Sequence, residues 1–193
     1  MVIVLWSSGK TSDSGSEIKG SNPFGTTIFE VFIMSKIQEL LNSDDTILVF
    51  DIDGVLARME FGEYNHYYSS DEDWSKKIEE GYNFYPDSLA ISSLINFIDK
   101  KNKDNIYVCS KSYSDKEDAM KVDFVTRNYH IKEDHIFFVK NNDAKLDILN
   151  EIKEKHPNIP DNHIAMIDDT SDVLTNIMLN SDFATVHISS FVV

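Results

Sequence analysis

Two carboxylates close the run Ile47-Leu48-Val49-Phe50-Asp51-Ile52-Asp53-Gly54-Val55-Leu56. Two residues apart at the end of an apolar stretch, Asp51 and Asp53 can hold a hard cation and leave one oxygen free as a nucleophile. Taken alone, the segment is equally a strand that stops at a polar turn with Gly54. Three further signals change that balance. Asn105-Ile106-Tyr107-Val108-Cys109-Ser110-Lys111 is an apolar run ending in a hydroxyl. Lys145, in Asp143-Ala144-Lys145-Leu146, falls in the first turn of a helical pattern. A cation there opposes the macrodipole and calls for a negative neighbour. His163-Ile164-Ala165-Met166-Ile167-Asp168-Asp169-Thr170-Ser171-Asp172 again ends an apolar run in an acid pair. Packing gives no reason for Asp/Asp, Ser, Lys and Asp/Asp to follow one another at such places.

The elements that must position these groups follow from hydrophobic periodicity. An apolar run bounded by acids and glycine reads as a buried parallel strand, and open α/β sheets place their chemistry at the C-terminal ends of such strands. Short apolar runs at 47–50, 105–109, 135–139, 163–167 and 183–188 alternate with helical patterns near 87–101, 115–128, 143–156 and 171–179. This alternation predicts an α/β fold, a doubly wound Rossmann-like three-layer sandwich around a central parallel sheet. Ser114-Asp115-Lys116-Glu117 has the form of a capping box, Asp143 is a candidate N-cap, and Pro157 stops the helix that follows it.

Residues 7–26, rich in Ser, Gly, Thr and Asn, read as a loop or linker. From Thr27 to Leu41, Phe29, Ile33, Ile37 and Leu40 recur at helical spacing, and Phe32 and Leu41 widen the stripe. The chain thus divides into an N-terminal extension over 1–41, with an amphipathic helix, and a domain over 42–193. That helix packs on the domain, docks a partner, or belongs to an upstream segment; Met34 is a candidate natural start. The chain stops at Ser189-Ser190-Phe191-Val192-Val193, straight after a strand, which suggests truncation.

At 193 residues, 41% hydrophobic and 26% charged, the chain has the size and composition of one soluble globular domain. No run approaches the ~18 apolar residues of a membrane span. Met1-Val2-Ile3-Val4-Leu5-Trp6 is too short and lacks the basic start of a signal peptide. The single cysteine, Cys109, excludes an internal disulfide and fits a reducing, cytoplasmic compartment. A net charge of −15 disfavours nucleic acid and anionic membranes as partners.

Across roughly residues 46–188, the four signatures in this order resemble the motifs of the haloacid dehalogenase superfamily of phosphohydrolases. Asp51-Ile52-Asp53-Gly54-Val55-Leu56 resembles the first motif, Ser110 the second, Lys145 the third and Asp168-Asp169 the fourth. The resemblance implies that Asp51 forms an aspartyl-phosphate, while Asp53 protonates the leaving oxygen and then activates water. It implies a Mg²⁺ ion held by the carboxylates of Asp51 and Asp168 and the backbone carbonyl of Asp53, with Asp169 binding through water and Asp172 orienting that shell. Ser110 would bond a phosphate oxygen, and Lys145 would balance charge between Asp51 and the phosphate. Lys140, in Phe138-Val139-Lys140-Asn141, competes for the lysine role; Lys145 is preferred because it opens a helix. Lys140 and Lys111 otherwise read as solvated surface lysines.

Members of this superfamily commonly carry a cap domain between these motifs. Here 59 residues separate Asp51 from Ser110 and 35 separate Ser110 from Lys145, which leaves no room for a substantial cap. Resemblance to capless members implies a macromolecular substrate or a cap supplied by another subunit. The aromatic stretch of Phe61, Tyr64, Tyr67, Tyr68, Trp74, Tyr82, Phe84 and Tyr85, with His66 among them, forms either a flap over the site or a satellite core. A flap of this kind suits a flat leaving group such as phosphotyrosine or a nucleobase. Strand alternation turns Cys109 into the core beside Ser110, and no phosphate-cradling loop follows it. The expectation is therefore a Mg²⁺-dependent phosphomonoester hydrolase acting on a phosphorylated protein. The alternatives are a small-molecule phosphatase or 5′-nucleotidase with an oligomer-supplied cap, and a partner-binding module on the same scaffold.

Overall fold

The computed structural model describes residues 36–59 and 70–191. Five parallel strands, β1 (Ile47–Phe50), β2 (Ile106–Lys111), β3 (Ile136–Val139), β4 (Ile164–Asp168) and β5 (Ala184–His187), form one sheet in the order β3-β2-β1-β4-β5. β1 pairs with β2 from Leu48↔Ile106 to Phe50↔Val108 and with β4 from Ile47↔Ile164 to Phe50↔Ile167. β1 is therefore the central strand, flanked by β2 and β4. Strands β1 and β4 are buried at every position, as expected of a sheet covered on both faces.

Helices supply the cover. Residues 36–42 form a helical segment, α1, followed by α2 (Asp71–Glu79), α3 (Ser92–Ile98), α4 (Asp115–Tyr129), α5 (Lys145–Lys155) and α6 (Ser171–Asn180). On one face Leu48, Phe50, Ile106, Val108, Ala165 and Ile167 pack with Leu41 of α1, Leu94 and Ile98 of α3, and Phe124 and Val125 of α4. On the other, Ile47, Val49, Tyr107, Cys109, Ile164 and Met166 meet Leu149 and Ile152 of α5 and Val173 and Ile177 of α6. Successive strand residues go to opposite faces, so one apolar run feeds both cores. The result is a Rossmann-like three-layer α/β sandwich.

Strand order reverses beside β1: the chain leaves β1 for β2 on one side, and β4 and β5 fill the other. Asp51 and Asp168 sit at the C-terminal ends of the neighbouring strands β1 and β4, where such sheets form a crevice. Between β1 and β2, the described residues hold α2, α3 and the single turns Asp87–Leu89 and Lys103–Asn105. No separate cap layer occurs among the described residues.

Two local expectations are corrected. Ser114 does cap α4, its Oγ accepting from the Glu117 N–H at 3.3 Å. The Glu117 carboxylate does not return to Ser114, however; its Oε2 accepts from the Tyr113 N–H at 2.9 Å, one residue further back. The entry to α5 is capped by Asn141, whose Oδ1 accepts from the Ala144 N–H at 3.1 Å, rather than by Asp143. A single 3₁₀ turn, Asn142–Ala144, separates that cap from the helix.

Candidate active site

The acids reach the crevice because β1 and β4 end in step. The Asp51 N–H still donates to the Ile167 carbonyl at 3.0 Å, so the ladder continues one residue past β1 and fixes the Asp51 backbone. Ligand oxygens of Asp51, Asp168 and Asp169 all lie within 4.8 Å of one another. Gly54 makes this approach possible. Its φ is +76°, and a Cβ there would stand 2.2 Å from Asp169 Oδ2. Glycine is required both for the left-handed turn and for the space the carboxylate occupies.

Lys145 bridges the two buried acids. Its Nζ lies 3.0 Å from Asp51 Oδ2 and 2.8 Å from Asp168 Oδ2, and its side chain is 1% exposed. Burial alone would favour the neutral amine, but the two carboxylates outweigh it and hold Lys145 above its ordinary pKa. The negative neighbours that a lysine at a helix start calls for are these two acids. Lys140 is exposed beyond the end of β3. The second oxygens are also bonded: Asp51 Oδ1 accepts from the Ile52 N–H at 2.7 Å, and Asp168 Oδ1 from the Thr170 N–H at 2.8 Å. Even so, burial and the Asp51 charge push Asp168 above the usual carboxylate range, and burial and Asp168 do the same to Asp169. Three acids face one ammonium.

This donor set fits a hard divalent cation. It offers carboxylate oxygens only, closely gathered, with more negative charge than Lys145 balances. Asp51, Asp168 and Asp169 are the residues that would hold it. Asp172 stays exposed in the first turn of α6, outside that cluster.

Asp53 faces a different environment. Its carboxylate accepts from the Tyr85 hydroxyl at 3.0 Å through Oδ1 and pairs with Lys121 Nζ at 2.8 Å through Oδ2. Burial raises its pKa and Lys121 opposes this, but with the Asp51 charge added the net direction is upward. Burial and the nearby carboxylates of Asp53 and Glu117 keep Tyr85 protonated, so its hydroxyl remains a donor. Asp51 and Asp53 are thus each paired with a buried lysine, Lys145 and Lys121 respectively, and Asp53 also accepts from the Tyr85 hydroxyl.

Lys121 is fully buried, which sequence reasoning missed. Besides Asp53 it pairs with Glu117 Oε1 at 3.1 Å, reaches Ser110 Oγ at 3.3 Å and donates to the Lys111 carbonyl. Glu117, also buried, accepts from Trp74 Nε1 at 3.1 Å. The missed signal is positional: Glu117, Lys121, Phe124 and Val125 form an i, i+4, i+7, i+8 stripe that is buried throughout. Two charged residues on that stripe cannot be ordinary surface charges.

Phe61, Tyr64, His66, Tyr67 and Tyr68 lie outside the described residues. Trp74 stacks on Phe84 with ring centroids 3.7 Å apart, and Tyr85 meets the Trp74 edge at 6.4 Å. These three belong to the core, while Tyr82 is exposed. Trp74 also lines a cavity of about 240 Å³ with Asp53, Lys111, Tyr113 and Glu117. Lys111 is no free surface cation: it pairs with Asp71 at 3.3 Å and lies 4.7 Å from the Tyr113 ring centroid. Cys109 is buried, and burial pushes its thiol up to about 12, which leaves it protonated and inert.

No protein-family model matches the chain, and no curated protein does. Among solved structures, DsGPDH of Dunaliella salina, a glycerol-3-phosphate dehydrogenase, is similar with a TM-score of 0.49 and 14% identity. The match covers 79% of this chain and 25% of that one, so this chain spans about a quarter of that protein's length. Among the described residues, no helix is long and apolar enough to cross a membrane.

Proposed function

We propose that the protein is a Mg²⁺-dependent phosphomonoester hydrolase of the haloacid dehalogenase type, working through an aspartyl-phosphate on Asp51. The observation that carries this reading is the placement of Lys145 between Asp51 and Asp168, beside a second acid, Asp53, with its own partners. A carboxylate attacks a phosphoryl group only where positive charge offsets the approach of two anions. Lys145 supplies one such charge, and the cation held by Asp51, Asp168 and Asp169 would polarise the phosphoryl oxygens. Asp51 forms the new O–P bond as the ester P–O bond breaks, and Asp53 gives its proton to the departing oxygen. Asp53, now a carboxylate, takes a proton from water as that water attacks the aspartyl-phosphate. Phosphate leaves and both acids return to their starting states. The Ser110 hydroxyl, one residue before the end of β2, would bond a phosphate oxygen.

The cavity beside Asp53, with Trp74 and Tyr113 in its wall, supports a flat leaving group. Together with the lack of a cap layer among the described residues, this favours an aryl phosphate presented by a macromolecule, such as a phosphotyrosine side chain.

The test is hydrolysis of p-nitrophenyl phosphate and a phosphotyrosine peptide, with and without Mg²⁺, by wild type and Asp51→Asn. The expected outcome is metal-dependent turnover that falls by at least ~10³-fold in a normally folded variant. Retained activity in Asp51→Asn would remove Asp51 from the nucleophile role, and a silent wild type would overturn the reading.

A further inference from the structure

A lysine with no exposed surface, bonded to two carboxylates, a hydroxyl and a carbonyl, is an expensive arrangement in folding terms. Charges removed from water lose several kcal/mol each, and an apolar replacement of similar volume is often as stable or more so. Lys121 and Glu117 are both buried on the inner face of α4. Their partners indicate why they are charged. Lys121 spans from Asp53 Oδ2 to Ser110 Oγ, so it touches the acid–base group and the phosphate-binding hydroxyl at once. Glu117 fixes Lys121 from behind at 3.1 Å and is itself anchored by the Trp74 indole and the Tyr113 amide. Tyr85 holds the other Asp53 oxygen.

From these contacts we infer that Lys121 is a positioning residue, which with Tyr85 fixes the Asp53 carboxyl in the orientation that delivers a proton to the leaving oxygen, while Glu117 keeps Lys121 in place. The role rests on the phosphatase reading above and extends it to residues outside its four motifs. It also makes a specific demand on substrate chemistry. An ester whose leaving oxygen is strongly basic needs that proton as the P–O bond breaks, whereas p-nitrophenolate leaves without it. Loosening Asp53 should therefore affect the first kind of substrate selectively.

The experiment compares kcat/KM for phenyl phosphate and p-nitrophenyl phosphate in wild type, Lys121→Met/Glu117→Gln and Tyr85→Phe, all with saturating Mg²⁺. The paired substitution removes both buried charges together, and its Gln still offers an acceptor to Trp74 or Tyr113; thermal unfolding checks that it is folded. Tyr85→Phe keeps the ring and its packing, so it carries the test if the double variant does not fold. The expected result is a loss of about 30-fold or more on phenyl phosphate against about 3-fold or less on p-nitrophenyl phosphate. Equal losses on both substrates, or none, would overturn the positioning role and leave the hydrolase reading intact. A wild type that hydrolyses neither would overturn both.

Discussion

Asp51 and Asp168 face each other across Lys145, and the chemistry proposed for Asp51 depends on that ammonium. Lys145→Ala would leave two buried carboxylates without their shared partner and withdraw the charge that offsets an approaching phosphoryl group. Turnover should fall by about 10²–10³-fold, the scale of losing one preorganised electrostatic contact. Lys140→Ala, at an exposed position, should leave it unchanged. The two variants assayed in parallel decide the lysine, and the opposite pattern would exchange their roles. Gly54 is constrained in another way. Gly54→Ala places a methyl 2.2 Å from Asp169 Oδ2 at a φ of +76°. It should cost about 1–3 kcal/mol in strain and weaken Mg²⁺ binding measured by calorimetry, because Asp169 must turn away. Unaltered affinity would exclude Asp169 from the cation site. The residues gathered here were legible because acids and hydroxyls that end apolar runs stand out against hydrophobic neighbours. Lys121 was not. It lies five residues after the exposed Lys116, and one lysine reads like the other until the helix stripe is aligned with Phe124.

At the scale of elements, α4 does more than cover the sheet. Its N-terminal half carries Glu117 and Lys121 into the crevice, and its last residue, Tyr129, ties two distant segments together. The Tyr129 hydroxyl donates to the Leu56 carbonyl, in the turn that follows Asp53, and accepts from the Ile91 N–H at 2.9 Å at the start of α3. Burial pushes this hydroxyl up to about 12, so it stays a donor throughout the working pH range. Tyr129→Phe keeps the ring and leaves two backbone groups without that partner. It should lower stability by about 1–3 kcal/mol in urea unfolding, with the m-value unchanged; a smaller effect would mean that water replaces the hydroxyl. The strands and α4 to α6 are readable within a residue or two, since their apolar periodicity is strong. The region before β2 is not. The pattern near 87–101 is a 3₁₀ turn and a shorter helix, because Ala90 is extended and bridges Ala57 beyond the first motif. α2 gives almost no signal, since in DEDWSKKIE only Trp74 and Ile78 face inward.

For the molecule as a whole, the sheet order concentrates acids at one crevice in a chain that already carries a net charge of −15. Sequence alone yields the parallel sheet, because five alternating runs allow few other arrangements. It does not show that the crevice holds more negative than positive charge, which depends on which side chains are buried together. That imbalance has a consequence for stability. Asp168 and Asp169 have pKa values raised by the fold, burial being the largest cause for each. An acid whose pKa is higher folded than unfolded keeps its proton longer in the native state. Its contribution therefore falls as pH rises from the ordinary value of about 4 through the raised one, and stays lower above it. Metal-free protein should accordingly lose stability over that window on the way to neutral pH. A divalent cation that binds the ionised acids reverses the loss. At pH 7, Mg²⁺ at about 100 times its Kd should add about 2.7 kcal/mol, or roughly 5–10 °C in Tm for a chain of this size. At pH 4 the same concentration should add little, because protons occupy the oxygens. Sodium chloride at matched ionic strength separates site binding from screening of the overall charge. If it raises Tm at pH 7 as much as Mg²⁺ does, the acids at the ends of β1 and β4 are not a cation site.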